Sequence, residues 1–151
     1  MKLVLIIVLG CSFIILGLNV KKHYKQRMDF YDDLVKFLSV LNQEISFLKN
    51  DLESIINSHH YSEDFDHFLQ EYLSIRKVNL SFLSNEENNQ LLQFLDSLGK
   101  GDVEREINNL SFYSIQFSEK SAKVKQDEST NGNMYFKLVS LVGIVVCIVL
   151  I

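Results

Sequence analysis

Two long apolar runs stand at opposite ends of this chain and constrain its fold more than any other feature. Residues 3–20 contain no charged side chain. About 18 helical residues extend roughly 27 Å, close to the thickness of a bilayer's hydrocarbon core. Residues 134–151 form the second run, in which Lys137 is the one charged side chain, near the end of the segment, where its ammonium can reach the interface. We therefore predict transmembrane helices at 1–20 and at 134–151.

The charges beside these runs predict their orientation. Basic residues follow the first run at once and also lie on the inner side of the second: Lys21, Lys22, Lys25, Arg27, Lys120, Lys123, Lys125 and Lys137. Basic flanks remain in the cytoplasm, so the middle of the chain is expected there, with two spans in the cell membrane. A cleaved signal peptide is the main alternative, but such peptides carry their basic residues before the apolar run.

Small residues recur at helical spacing within both runs. Gly10 and Gly17 are seven residues apart, while Ser140, Gly143 and Cys147 follow an i, i+3, i+7 pattern. Small side chains let membrane helices approach closely, so these five residues are candidates for a membrane packing face. The other interpretation is that glycine is simply common in membrane helices.

Composition excludes several classes of protein. A net charge of −4 argues against a nucleic-acid-binding protein, which carries a basic stripe. The two cysteines, Cys11 and Cys147, lie inside the apolar runs, so they suggest neither a disulfide framework nor a zinc site. Proline is absent, which favours long unbroken helices.

The strongest periodic signal follows the first run. Apolar residues recur there alternately at three and four positions: Tyr31, Leu34, Leu38, Leu41, Ile45, Leu48, Leu52 and Ile55. This is a heptad seam, the pattern of a helix that packs along another helix. It predicts one helix from about Tyr24 to Asn57, with polar residues such as Asp33 and Lys36 on its other positions.

Shorter helical patterns complete the middle of the chain. Residues 57–63 are predicted to form a turn, residues 64–77 a helix, and Ser84 with Glu87 a capping box that opens another helix. Gly99 is expected to end that helix. A last soluble helix begins at Gly101 or Asp102, and residues 127–133 form either a hinge or a continuation of it. We predict an all-α fold: transmembrane helices at both ends flank a cytoplasmic antiparallel bundle (residues 21–133) of two long helices and a shorter helical hairpin.

No constellation of residues predicts catalysis or a cofactor. His59, His60, Glu63 and His67 have helical spacing, but no second dyad or cysteine completes a metal site. The sequence Gly99-Lys100-Gly101 lacks the strand and the GK[ST] ending of a phosphate-binding loop. The sequence therefore predicts a scaffold or interaction protein without catalytic, cofactor-binding or metal residues.

Three stretches of the chain carry recognisable motifs. Residues 41–47 (LNQEISF) have the form L-x-x-E-I-x-aromatic, and residues 95–102 (LDSLGKGD) contain LG-x-x-D. The terminal run, from Lys137-Leu138 through Gly143 to Ile151, contains a glycine. In these motifs and in the order of its segments, the chain resembles the stage III sporulation protein AB family of endospore-forming bacteria.

The resemblance implies a membrane subunit of the channel between mother cell and forespore. The family's cytoplasmic domain is similar to that of the inner-membrane platform protein of type II secretion and pilus machines. Its implied partners are the lipid bilayer, a cytoplasmic motor ATPase and other channel subunits of the same operon, and a homo-oligomer is also allowed. The alternative function is a generic two-span membrane adaptor or sensor in envelope assembly.

Helix lengths then predict where a partner docks. Two long helices that start and end at the membrane would place the His59–Tyr61 and Gly99–Asp102 connections together at the far end of the bundle. A cytoplasmic motor reaches that end most easily, and loops on a rigid scaffold are common binding elements. His60, Tyr61 and Lys100 are therefore the candidate docking residues, although the same loops can serve only to turn the chain.

Overall fold

The computed structural model describes residues 2–47, 52–77 and 79–150, without the side chains of 2–7, 9–10, 45–47, 52–53, 57, 147 and 149–150. Over these ranges the regular structure is entirely helical, as the sequence predicts. Its elements are α1 (Lys2–Phe47), α2 (Leu52–Ser58), α3 (Glu63–Ile75), α4 (Asn85–Ser97), α5 (Val103–Asp127), a π-helical turn (Glu128–Gly132) and α6 (Asn133–Leu150).

The chain divides into two compact units. The terminal unit comprises residues 1–28 and 123–151, and the central unit comprises residues 29–122. The bundle predicted from the sequence, residues 21–133, includes residues at both ends that the structure assigns to the terminal unit.

Helix α1 corrects the predicted helix boundaries. The sequence suggested one helix for residues 1–20 and another from Tyr24 to Asn57, but α1 is continuous from Lys2 to Phe47. No proline occurs in the chain and no glycine lies between Gly17 and Gly99, so nothing interrupts the helix at the basic cluster. At the other end, residues 48–51 lie outside the described part, and α2 covers Leu52–Ser58.

Membrane spans are not supported in the described part of the chain. No helix there is both long enough and apolar enough to cross a bilayer. Helices do cover both end segments, as α1 and α6.

The heptad seam of α1 forms one wall of the central unit's core. Tyr31, Leu34, Leu38 and Leu41 are buried, and Ile55 on α2 is buried as well. The side chains of Ile45, Leu48 and Leu52 lie outside the described residues. The seam prediction is thus confirmed at each of its positions that is described.

Aromatic rings fill the space between α1 and α3. Phe30 packs against Phe65 and Phe68, with ring centroids 5.2 and 5.3 Å apart. Phe37 contacts Phe65 from the next turns of α1, at 5.9 Å. Edge-to-face and tilted pairs of this kind add stability beyond the area that they bury. Helix α3 is therefore held against α1 by phenylalanines.

Local hydrogen bonds set the ends of α4. Ser84 and Glu87 form the predicted capping box, in which each side chain accepts the other residue's backbone N–H. The buried Asn88 amide donates to the carbonyls of Leu80, Leu83 and Ser84, which holds the preceding turn against the helix. At the far end, Gly99 adopts φ +75°, a left-handed conformation that glycine enters without strain.

The π-helical turn shifts the buried face between α5 and α6. After the buried Val124, an unbroken α-helix would place residues 128, 131, 135, 138 and 142 on the inner face. The buried positions are instead Gly132 and Gly143, one residue later, while Leu138 and Val142 are exposed. A π turn absorbs one extra residue, which accounts for the shift. The polar segment 127–133 is thus continuous helix with a change of register.

Replacement of Leu41 by Ala tests the α1 seam. Leu41 is 1% exposed, so truncation leaves a cavity and should lower the free energy of unfolding by about 2–5 kcal/mol. Ser39→Ala, on the exposed side of the same helix, should change it by less than about 0.5 kcal/mol. Thermal or denaturant unfolding of the full-length chain measures both. Equal stability of the two variants would contradict the seam.

Candidate docking sites and the packing face of the terminal helices

A buried carboxylate joins three helices of the central unit. Glu87, in the first turn of α4, is 5% exposed. Its Oε1 accepts a hydrogen bond from the Tyr31 hydroxyl of α1 at 3.0 Å and lies 2.9 Å from the Lys120 ammonium of α5. Its Oε2 accepts the Ser84 N–H at 2.9 Å. Both carboxylate oxygens are therefore satisfied, which a charge removed from water requires.

A second link joins α1 to α5 beside this junction. The Ser121 hydroxyl donates to Asp32 Oδ1 at 2.8 Å. Because Ser121 and Lys120 are adjacent, these two links fix the same turn of α5 against the start of the α1 seam. The antiparallel pairing of the long helices thus has a defined register.

Asp33 ties the connection between α2 and α3 to α1. Its carboxylate accepts the Ser62 N–H at 3.0 Å and pairs with Lys36 at 2.9 Å. Burial acts to raise the pKa of Asp33, but hydrogen bonds from Ser62 and Lys36 outweigh it and hold the pKa below its ordinary value. The sequence pattern placed Asp33 on a polar helix position, whereas the structure buries it at 5% exposure.

The candidate docking residues His60 and Tyr61 lie on this connection. The Tyr61 ring packs against Phe37 and Phe65, and burial followed by the charges of Asp66 and Asp33 raises the pKa of Tyr61 to about 12. Its hydroxyl is buried, and no described residue forms a hydrogen bond with it. His60 is exposed, and its ring nitrogen lies 3.6 Å from Asp66. Of the pair, only His60 offers an accessible polar group.

Lys100, the third candidate docking residue, lies in the turn between α4 and α5. This turn borders a depression of about 440 Å³ lined by Ser97, Lys100, Gly101, Arg105, Glu106, Asn108 and Asn109. Asp102 caps α5 by accepting the Arg105 N–H at 3.0 Å. Glu106 Oε1 accepts the Gly101 N–H at 2.9 Å, which holds the turn closed over the first residues of the helix.

The structure separates the two connections that we expected to find together. The Ser62 N–H reaches Asp33, next to Asp32, which bonds to Ser121 on α5. The Gly99–Asp102 turn precedes Val103, which is about 18 residues, or roughly 27 Å, along α5 from Ser121. The physical reason is the position of Tyr61, which packs on Phe37, ten residues before the last described residue of α1. The docking roles of His60, Tyr61 and Lys100 stay predictions, but one partner surface at a common tip is wrong.

The terminal unit pairs α1 with α6 through glycines. A methyl group added at Gly17 would lie 3.1 Å from the Phe136 ring, and one added at Gly143 would lie 2.8 Å from Phe13 Cβ. Thus a phenylalanine of each helix packs against a glycine of the other helix: Phe136 against Gly17, and Phe13 against Gly143. Further along, Gly132 faces Tyr24, which stacks on Tyr135. This close approach is the type of packing that small residues permit.

Two of the five predicted packing residues make these contacts. Gly17 and Gly143 do so, and Ser140 is half-buried. Gly10 and Cys147 lie outside the residues whose side chains are described. Sequence reasoning missed Gly132 as a packing residue, because the polar residues around it suggested either a hinge or a continuation of the soluble helix. It also missed Glu87 as a junction, since its partners Tyr31 and Lys120 are distant in sequence.

Among the described residues, no group of three or more His, Cys, Asp or Glu side chains is arranged to hold a metal ion. His59 instead shares a hydrogen bond with the neighbouring Ser58 hydroxyl, at 2.9 Å.

Replacement of Glu87 by Ala tests the three-helix junction. The change leaves the Tyr31 hydroxyl and the Lys120 ammonium without their acceptor, so we expect a loss of about 2–4 kcal/mol in unfolding free energy. Glu86→Ala is the matched control, because Glu86 is the exposed neighbour in the same helical turn. The Glu86→Ala variant should lose less than about 1 kcal/mol in unfolding free energy. Similar losses for both variants in denaturant unfolding would exclude the junction.

A compensating pair of substitutions tests the contacts between glycine and phenylalanine in the terminal unit. Gly143→Leu should disrupt the pairing of α1 with α6, because Phe13 occupies the space that the new side chain needs. Phe13→Ala in the same chain should restore much of the lost thermal stability, measured on the full-length protein. Val145→Leu, at an exposed position of α6, is the control and should have little effect. If Phe13→Ala gives no rescue, the two side chains are not in contact.

Comparison with known proteins places the chain in a family. No curated protein and no solved structure shows significant similarity to it. The family model of stage III sporulation protein AB matches residues 58–151, which include α3 to α6 and the junction formed by Glu87 and Lys120. The chain therefore belongs to the stage III sporulation protein AB family and has a role in sporulation.

Proposed function

We propose that this protein is a membrane-anchored platform subunit of the channel complex between mother cell and forespore. In this proposal the terminal unit lies in the mother-cell membrane that faces the forespore. The central unit lies in the cytoplasm and receives a motor ATPase and other subunits encoded in the same operon. Family membership supports the link to sporulation, and the following features support the finer role.

The observation that carries the proposal is the distribution of side chains in the terminal unit, which is the reverse of that in a water-soluble helix pair. Its paired helices bury glycine and expose large aliphatic side chains, among them Val8 (60% exposed), Leu141 (60%) and Ile148 (65%). A water-soluble helix pair would bury such side chains, whereas apolar surfaces of this extent face lipid or a partner. The basic cluster at residues 21–27 supports the cytoplasmic placement of the middle of the chain.

The construction of the central unit supports the role of a platform. Polar bonds from Glu87, Asp32 and Asp33 fix α1 to α4, to α5 and to the connection before α3. A unit with its helices fixed in register can transmit force from a bound motor without changing its own packing. The alternative, a generic two-span adaptor, would not require an ATPase partner.

Purification of the full-length, tagged chain from sporulating cells tests this proposal. We expect the chain in the carbonate-washed membrane fraction, with the operon's motor ATPase co-purifying after solubilisation in mild detergent. Glu86→Ala should behave as the native chain, which controls for the handling of variants. Recovery of the chain in the soluble fraction would refute the membrane anchor. A membrane-bound chain that co-purifies with channel proteins but without the ATPase would refute the platform role.

A further inference from the structure

One side of α5 carries an apolar pair that no described residue covers. Phe112 and Ile115 are 63% and 64% exposed, although the buried residues of α5, Leu110 and Phe117, lie on its opposite side. The Phe112 ring is held edge-on by Tyr113, with 5.4 Å between centroids, and Tyr113 stacks on Phe117 at 5.8 Å. Phe112 is therefore supported from the core rather than free on the surface.

The same stripe continues into the depression at the start of α5. Arg105, Asn108, Phe112 and Ile115 are spaced by three, four and three residues, so they share one helical face. Arg105 and Asn108 also line the 440 Å³ depression beside Lys100. An apolar patch thus adjoins a polar pocket of a size that accepts a side chain.

The charges in this pocket are not neutralised within the described structure. Lys100 and Arg105 are exposed, and neither makes an ion pair with a described residue, whereas Lys36 pairs with Asp33 and Lys120 with Glu87. The carboxylate of Glu106 is buried: Oε1 accepts the Gly101 N–H, and Oε2 has no hydrogen-bond partner among the described residues. Two cations and the Asn108 amide remain available to a carboxylate from outside.

We propose that Lys100, Arg105, Asn108, Phe112 and Ile115 form a docking surface for an acidic amphipathic helix of a partner protein. An acidic side chain of that helix enters the pocket between the two cations, and its apolar residues pack on Phe112 and Ile115. The spacing of the stripe matches a helix-on-helix seam, and the distance from Arg105 to Ile115 corresponds to about 15 Å, or three turns. This inference rests on the proposed function only in one respect: the proposed function says in which complex the partner protein is found.

Two designed helical peptides of about 18 residues test the surface. Both carry leucines at heptad spacing, and they differ only in having two Glu or two Lys residues at the end that meets the pocket. Fluorescence anisotropy measures their binding to the full-length protein in detergent micelles. The Glu peptide should bind about tenfold more tightly than the Lys peptide, and the difference should shrink as salt is added.

Variants of the chain identify the residues involved. Lys100→Glu with Arg105→Glu should reverse the preference in favour of the Lys peptide, which also demonstrates that the variant is folded. Phe112→Ala with Ile115→Ala should weaken both peptides at least about tenfold. Lys77→Glu, the same charge reversal at an exposed residue outside the stripe, should leave both affinities unchanged.

Equal binding of both peptides, or an unchanged preference after the charge reversal, would overturn the proposal. Binding of neither peptide would overturn it too, as would self-association through the stripe detected by sedimentation. These outcomes are independent of the co-purification experiment, because the peptides report on the pocket even where no ATPase is bound. Conversely, a retained Glu-peptide preference with no ATPase partner would refute the platform role alone.

Discussion

The central unit depends on the carboxylate of Glu87. This single group accepts a hydrogen bond from Tyr31 of α1, forms an ion pair with Lys120 of α5, and accepts the backbone N–H of Ser84 before its own helix. Burial of a charge is costly unless its oxygens are occupied, so the partners and the carboxylate require one another. The aromatic core between α1 and α3 contributes apolar burial, which is not directional. The junction instead specifies which turn of each long helix faces which.

Two consequences follow for the surface of this unit. The link between Asp32 and Ser121 aligns α5 with the start of the α1 seam, and the Gly99–Asp102 turn then lies about 27 Å away along α5. The connection around Tyr61 remains beside Asp33. The two connections therefore present separate surfaces, one with a half-buried aromatic ring and one with two cations that make no ion pair with a described residue.

The terminal unit uses a different physical solution. Its helices approach through glycines that seat phenylalanines, and its aliphatic side chains point outward. The π-helical turn allows this face to form, since it absorbs one residue between Val124 and Gly132. Without that residue the α5 pattern would continue onto Leu138 and Val142, side chains too large for the same close approach. The π-helical turn in the polar segment before α6 thus determines which face of the apolar helix α6 is buried.

Helical class, the α1 seam and the capping box at Ser84 could be predicted from the sequence alone. Each depends on residues a few positions apart, or on a property of one side chain, so periodicity and composition carry the information. The tertiary structure decided the burial of Asp33 and Glu87, the packing of Tyr61 on Phe37, the separation of His60 and Tyr61 from Lys100, and the register shift before α6. These features depend on contacts between residues distant in the chain, such as Tyr31 with Glu87 and Ser62 with Asp33, and a local pattern does not encode which distant partner will satisfy a buried charge.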